Sequence, residues 1–249
     1  MSMPNFEGIF YPSDKSEFNS LLPPFSGDEK KGALVLMPHS SLSVVAPLIS
    51  HSLTGLKEAK EILLLAPVHS QAPSGLFCTT EREFKGINGT VKLAAFDRLP
   101  ANDSLFDKEY TVELSINAIN RYFPDAVIYP VLCNLESKKE YTMLQSLIAL
   151  RLADGFSVVM TGNLSAKGDG EKLRRDAKQL TEAVESKHPL LSLIREKRVT
   201  GCAAPLLEAL TALPIKTGFE LFKCGSSLTD TIDNNKGDGD IWYGSAIAK

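Results

Sequence analysis

The chain has 249 residues, 43% of them hydrophobic and 23% charged, and a mean hydropathy of -0.04. This is the balance of a soluble globular protein long enough for a sizeable core. A formal net charge of -3 excludes a global positive field that would draw nucleic acid or anionic membrane, and no apolar run reaches membrane-spanning length.

The opening "MSMPNFEGIFYPSD" lacks a basic region followed by an apolar stretch, so no signal peptide is expected. Cys78, Cys133, Cys202 and Cys224 are far apart, form no C-x-x-C pair and sit mostly among apolar or small residues. They read as reduced cysteines of a cytoplasmic protein rather than as a zinc knuckle. A first buried strand is expected over residues 33–37, ending in Pro38 and His39, and then a helix over 44–51 with His51 capping its C-terminal end. A second strand over 62–66 repeats the ending with Pro67 and His69.

Residues 79–96, "TTEREFKGINGTVKLAAF", break the rhythm and suggest a β excursion turning at Asn88-Gly89. Helical spacing returns over 112–122 and 141–153, with apolar strands at 126–132 and 157–161. Over 172–186, Leu173, Ala177, Leu180 and Val184 line one helix face, while Lys172, Arg174 and Arg175 read as its solvated side. His188 is expected at an exposed helix end, and Trp242 and Tyr243 at the start of a last strand. Strands alternating with helices predict an α/β fold, a single domain over residues 1–249 with a central, largely parallel or mixed sheet between helices.

In open α/β sheets, ligands bind beyond the carboxyl ends of the strands. His39 and His69 both lie there. Singly, each reads as a loop histidine bonded to nearby backbone; together, at equivalent strand ends, a shared site is the better reading. Two imidazoles suit zinc, iron, copper or nickel but rarely suffice, so a third ligand is needed. "TDTIDNNKGDGDIWY" lacks the spacing of a calcium loop. "GDGEKLRR" lacks the P-loop Lys-Ser/Thr pattern, so nucleotide binding is not expected.

The ordered set "FEGIFYP", "MPHSS", "APVHS", "EYTVELSINAI", "VVMTGNLSAKGD", "GCAAP" and "WYGSAIA" resembles the Memo family. That family includes the AmmeMemoRadiSam system B proteins, and its fold is similar to that of class III extradiol ring-cleavage dioxygenases. The resemblance runs from Gly8 to Ala248. It implies that His39 and His69 line a metal-site cleft, bordered by Glu109, Tyr110, Asn163, Ala166 and Thr229. Glu109 and Glu113 match the two acids of E-H-S-L-E, with Tyr110 where that motif has histidine. Asn163 stands for an aspartate and Ala166 for a histidine, and Thr229 falls where animal members carry a cysteine ligand.

Alanine can neither bind metal nor move a proton, and threonine is a poor ligand. A carboxylate from Asp230, Glu113 or Asp169 is therefore the expected third ligand, giving a 2-His-1-carboxylate set. Glu113 is alternatively expected to orient a histidine from behind. Cys224, close to Thr229 in sequence, reads as a small buried cysteine. The resemblance thus implies a degenerate two-histidine site taking one divalent transition metal (Fe, Cu or Zn), with weak or no oxidoreductase activity. Catalytic candidates are His39, His69 and Glu113, the implied partners a small molecule or peptide and a radical-SAM system protein. The alternative is a non-catalytic module that binds a peptide or small ligand in the former cleft.

Overall fold

The structure, a computed structural model, describes residues 4–23, 31–58, 60–166, 170–213, 222–226 and 241–248. Among these residues the main sheet has seven strands in the order β3-β6-β2-β7-β1-β9-β8. They are β1 (Leu34–Met37), β2 (Glu61–Pro67), β3 (Gly75–Phe77), β6 (Val127–Asn134), β7 (Ser157–Thr161), β8 (Phe222–Ser226) and β9 (Trp242–Ala248). The four inner strands β6-β2-β7-β1 are parallel. The flanking β3, β9 and β8 run antiparallel to their neighbours, so the sheet is mixed.

Continuous apolar runs such as "ILLLA" form strands covered on both faces, because successive side chains point to opposite sides. Ile62, Leu64, Ala66, Val35 and Val159 face one core cluster; Leu63, Leu65, Leu36 and Val158 face the other. The first core is covered by α1 (Lys15–Leu21), α2 (Leu42–Thr54) and α4 (Tyr110–Tyr122). The second is covered by α5 (Lys138–Ala153), α6 (Gly170–Glu185) and α8 (Ala204–Thr211). A short α3 (Asp103–Phe106) precedes α4, and α7 (Leu191–Arg195) precedes α8. A reciprocal capping box between Ser137 and Glu140 starts α5.

The predicted elements all appear within a few residues of their expected bounds, and among the described residues no helix is long and apolar enough to cross a membrane. One expectation needs correction. The β excursion is the hairpin β4 (Glu83–Gly86) and β5 (Gly89–Lys92), but its turn residues are Ile87 and Asn88, one position earlier than expected. Asn117 of α4 explains the shift, because its Oδ1 accepts from the Ile87 N–H at 2.9 Å and pins that residue in the turn. His51 lies in the last turn of α2, as expected, but its side chain also reaches the sheet. It is buried, with Nδ1 2.6 Å from Ser245 Oγ of β9. His188 is exposed beyond α6, as expected.

Candidate metal centre

His39 follows β1 and His69 follows β2, with β7 lying between those two strands. The parallel register carries both histidines to the same end of the sheet, and β7 contributes from the middle. Thr161 Oγ1, at the last residue of β7, lies 3.1 Å from His39 Nδ1. Asn163 clamps the His39 backbone on both sides: its Oδ1 accepts from the His39 N–H at 3.1 Å, and its Nδ2 donates to the His39 carbonyl at 2.9 Å. An aspartate could supply only the first of these bonds.

His69 is held by Glu109, the N-cap residue of α4, which is 1% exposed. Oε2 accepts from the His69 N–H at 2.8 Å, and Oε1 lies 2.9 Å from His69 Nδ1. Thr111 donates its hydroxyl to the same Oε1. The two rings stand 5.0 Å apart, nearly perpendicular. His39 is buried, whereas the His69 side chain is 36% exposed, so the cleft opens to solvent on the His69 side.

The third member is Cys202. Its Sγ lies 3.2 Å from His39 Nε2 and accepts from the Asn163 N–H at 3.1 Å. One donor atom each from His39, His69 and Cys202 falls within 4.8 Å of the others. Cys202 arrives there on a tight loop before α8. A Cβ on Gly162 would meet Ala203 Cα at 2.7 Å, and one on Gly201 would overlap the backbone of Asn163 and Leu164. Only glycine lets these two segments touch.

The electrostatics follow from the geometry. Burial alone would raise the Cys202 thiol, but the imidazoles of His39 and His69 and the Asn163 N–H outweigh it and bring the thiol down to about 5. Burial would lower His69, yet its bonds to Cys202 and Glu109 raise it to about 10. Burial also opposes ionisation of Glu109, and its bonds with His69 still hold that carboxyl below its ordinary value. Without metal, these interactions favour a thiolate on Cys202 and a protonated His69 backed by the Glu109 carboxylate.

Tyr110 closes the cluster, its ring centroid 5.8 Å from His39 and 5.9 Å from His69. Burial, followed by the nearby Cys202 and Glu109, raises its phenol well above the ordinary value, so it stays protonated. Phe10 stacks on Tyr110 at 4.0 Å, and Phe6 packs edge-on against both.

Glu113 does not orient a histidine and is not free to bind metal. One turn further along α4, it accepts from the N–H groups of Asn5 and Phe6 and from the Tyr11 hydroxyl, each at 2.8 Å. It fixes the N-terminal segment whose Phe10 covers Tyr110. The histidine-orienting role falls to Glu109 instead. Ala166 is exposed, and its N–H donates to Thr200 Oγ1, two residues before Cys202. Thr229, Asp230 and Asp169 lie outside the described residues.

Cys78, Cys133 and Cys202 are all free thiols, as the reduced reading expected, but that reading did not place Cys202 in the site. Cys78 and Cys133 are buried, whereas Cys202 is half-buried and stands in the site. A signal for Cys202 was present in "GCAAP", where a cysteine sits between a glycine and small residues ahead of a helix-starting proline. Small flanks admit a close loop approach as readily as burial.

No family model matches the chain, and no curated protein matches it. Among solved structures it is similar to the crystal structure of uncharacterized protein JW3007 from Escherichia coli K12. That likeness has 15% identity, 86% coverage of this chain, 98% of the other and a TM-score of 0.45. A likeness at that level carries no functional information.

Proposed function

We propose that the chain is a Memo-like protein that binds one transition metal ion through His39, His69 and Cys202. The observation that carries this reading is the convergence of two imidazoles and one thiol within 4.8 Å. Thr161 and Glu109 occupy the Nδ1 atoms, leaving both Nε2 atoms for the ion. Metal-bound histidines usually have the other ring nitrogen fixed by a carboxylate, backbone carbonyl or water, as Glu109 fixes that of His69. Three protein donors are the number that catalytic sites use, structural zinc sites using four. A thiolate with two imidazoles favours copper, zinc or iron over magnesium or calcium.

When bound, such an ion acts as a Lewis acid or, for copper and iron, as a one-electron centre. The chain's own residues set what surrounds it. Glu109 holds His69 in one orientation, Asn163 fixes the His39 backbone and presents an N–H to the sulfur, and Tyr110 offers a neutral phenol beside both rings. Phe10 and Phe6 back that phenol. By the resemblance, Ala166 stands where a histidine would move protons, which favours metal binding with weak oxidoreductase chemistry over ring cleavage.

The test is metal content of protein purified without a tag, followed by competition titration with zinc, copper and iron. About one ion per chain, lost in both His39→Ala and Cys202→Ser with the fold intact, supports the reading. Absence of stoichiometric metal and of any saturable uptake removes it.

A second reading is favoured by the 3.2 Å contact between Cys202 Sγ and His39 Nε2. A thiolate paired with imidazole is also a nucleophile without metal. Zinc that abolishes alkylation of Cys202 at one equivalent favours the metal site; alkylation indifferent to metal favours the nucleophile.

A further inference from the structure

Lined by none of the residues of the histidine cluster, a groove of about 970 Å³ runs between α5 and the loop that carries Phe96 and Leu99. Its floor is continuous with the second core: Leu76 is buried there, and Phe96, Leu99 and Leu147 pack against that core while only partly covered. Along α5, Met143, Leu147 and Leu150 follow one another at i, i+4 and i+7, the spacing of a single helix stripe. Met143 is 40% and Leu150 58% exposed. With Ile9 they are the exposed large hydrophobic residues among those described, and both line this groove.

The groove is cationic in a chain of net charge -3. Arg98, Lys138, Lys139 and Arg151 line it against one acid, Asp97. Arg151 is fixed, paired with Asp154 at 3.0 Å and lying over the Phe96 ring. Arg98, Lys138 and Lys139 have no ion pair among the described residues. A second copy presenting the same patch would set these cations against their own images, which opposes a two-fold contact. From Lys138 to Arg151, α5 offers roughly 20 Å of length at 1.5 Å per residue, enough for three to four turns of a partner helix.

We propose that this groove docks an amphipathic helix of another protein, with its apolar face on Met143, Leu147 and Leu150 and acidic residues toward Arg98, Lys138 and Lys139. Such docking reads the partner by anchors spaced three and four apart, with charge setting which partner and which orientation. The groove shares no lining residue with the metal site, so the inference stands whether or not that site binds metal.

The probe is a fluorescein-labelled model helix of roughly 18 residues, Leu and Ala on one face and Glu on the other, long enough to span the groove. Its counterpart carries Lys in place of Glu. Fluorescence anisotropy on the full chain should show saturable binding of the acidic helix that weakens as salt rises. The double variant Met143→Glu with Leu150→Glu and the double variant Lys138→Glu with Lys139→Glu should each weaken it at least about tenfold, the equivalent of 1.4 kcal/mol. These positions are exposed, and circular dichroism of each variant confirms the fold. Equal binding of the Lys helix, or binding unchanged in both variants, overturns the proposal. So does decanoate filling the groove while the acidic helix fails to bind, which would mark a small-amphiphile pocket. Self-association lost in Leu150→Glu would also overturn it.

Discussion

Glu109 grips His69 twice: one carboxylate oxygen accepts from its backbone N–H at 2.8 Å, and the other lies 2.9 Å from its Nδ1. The pair ties the loop after β2 to the first turn of α4. It fixes which ring nitrogen faces Cys202, and so decides whether the three donors can converge. Glu109→Gln keeps the shape but removes the charge and leaves an amide that meets Nδ1 less well. Affinity for zinc or copper should fall about 10- to 100-fold, the usual cost of losing a partner behind a metal-binding histidine, measured by competition with a chromophoric chelator. Unchanged affinity would show that the grip is only structural.

The same pair predicts a pH profile for the metal-free protein. His69 is raised to about 10. Its contribution to stability is therefore complete below the ordinary imidazole value of about 6.5 and is lost as pH climbs toward 10. Glu109 is lowered, so its contribution is present above the ordinary carboxylate range and is lost as pH falls through its lowered value. The difference in Tm between the natural chain and Glu109→Gln should peak between these limits and shrink at both ends. Proton NMR of His69 should show it still charged at neutral pH.

Cys202, brought down to about 5, should react with iodoacetamide well below the pH at which an ordinary thiol does. In folded, metal-free protein the rate should rise through a midpoint near 5, and Cys202→Ser should abolish this phase. Burial pushes the Cys78 and Cys133 thiols up instead, and both should label only on unfolding. Mass spectrometry of the alkylated peptides checks each assignment.

Glu113 accepts three hydrogen bonds at 1% exposure. Glu113→Ala leaves two backbone N–H groups and the Tyr11 hydroxyl without their acceptor. A loss on the order of 3 kcal/mol is expected, since each unsatisfied buried donor costs about 1–3 kcal/mol and water recovers part of it. Urea unfolding measures the loss, and limited proteolysis should cut first within residues 4–11. Metal affinity should change far less than in Glu109→Gln, because Glu113 touches neither histidine.

At Gly201 an added methyl would overlap the backbone of Asn163 and Leu164. Gly201→Ala must therefore push the Cys202 loop off the β7 loop, at about 1–3 kcal/mol for the overpacking. The Asn163 N–H bond to sulfur should be lost with it. Alkylation of Cys202 should then shift toward the pH of an ordinary thiol while His69 stays bound to Glu109.

By itself the sequence determined the strands, the helices and the pairing of His39 with His69. Runs such as "ILLLA" can be buried only as two-sided strands, and each ends in a proline and a histidine, so one parallel sheet places both histidines at one end. Glu109 and Glu113 were legible as a pair, but four residues along a helix they share a face without sharing a neighbour. Both are equally buried, and position along α4 decided their roles: Glu109 at the N-cap meets the His69 loop, and Glu113 one turn on meets the N-terminal segment. Cys202 was read only as one of four reduced cysteines, because chain separation hides contact: it lies 163 positions from His39. Only the close crossing at Gly162 and Gly201 brings that sulfur to the imidazole, through non-local backbone packing that no local periodicity encodes.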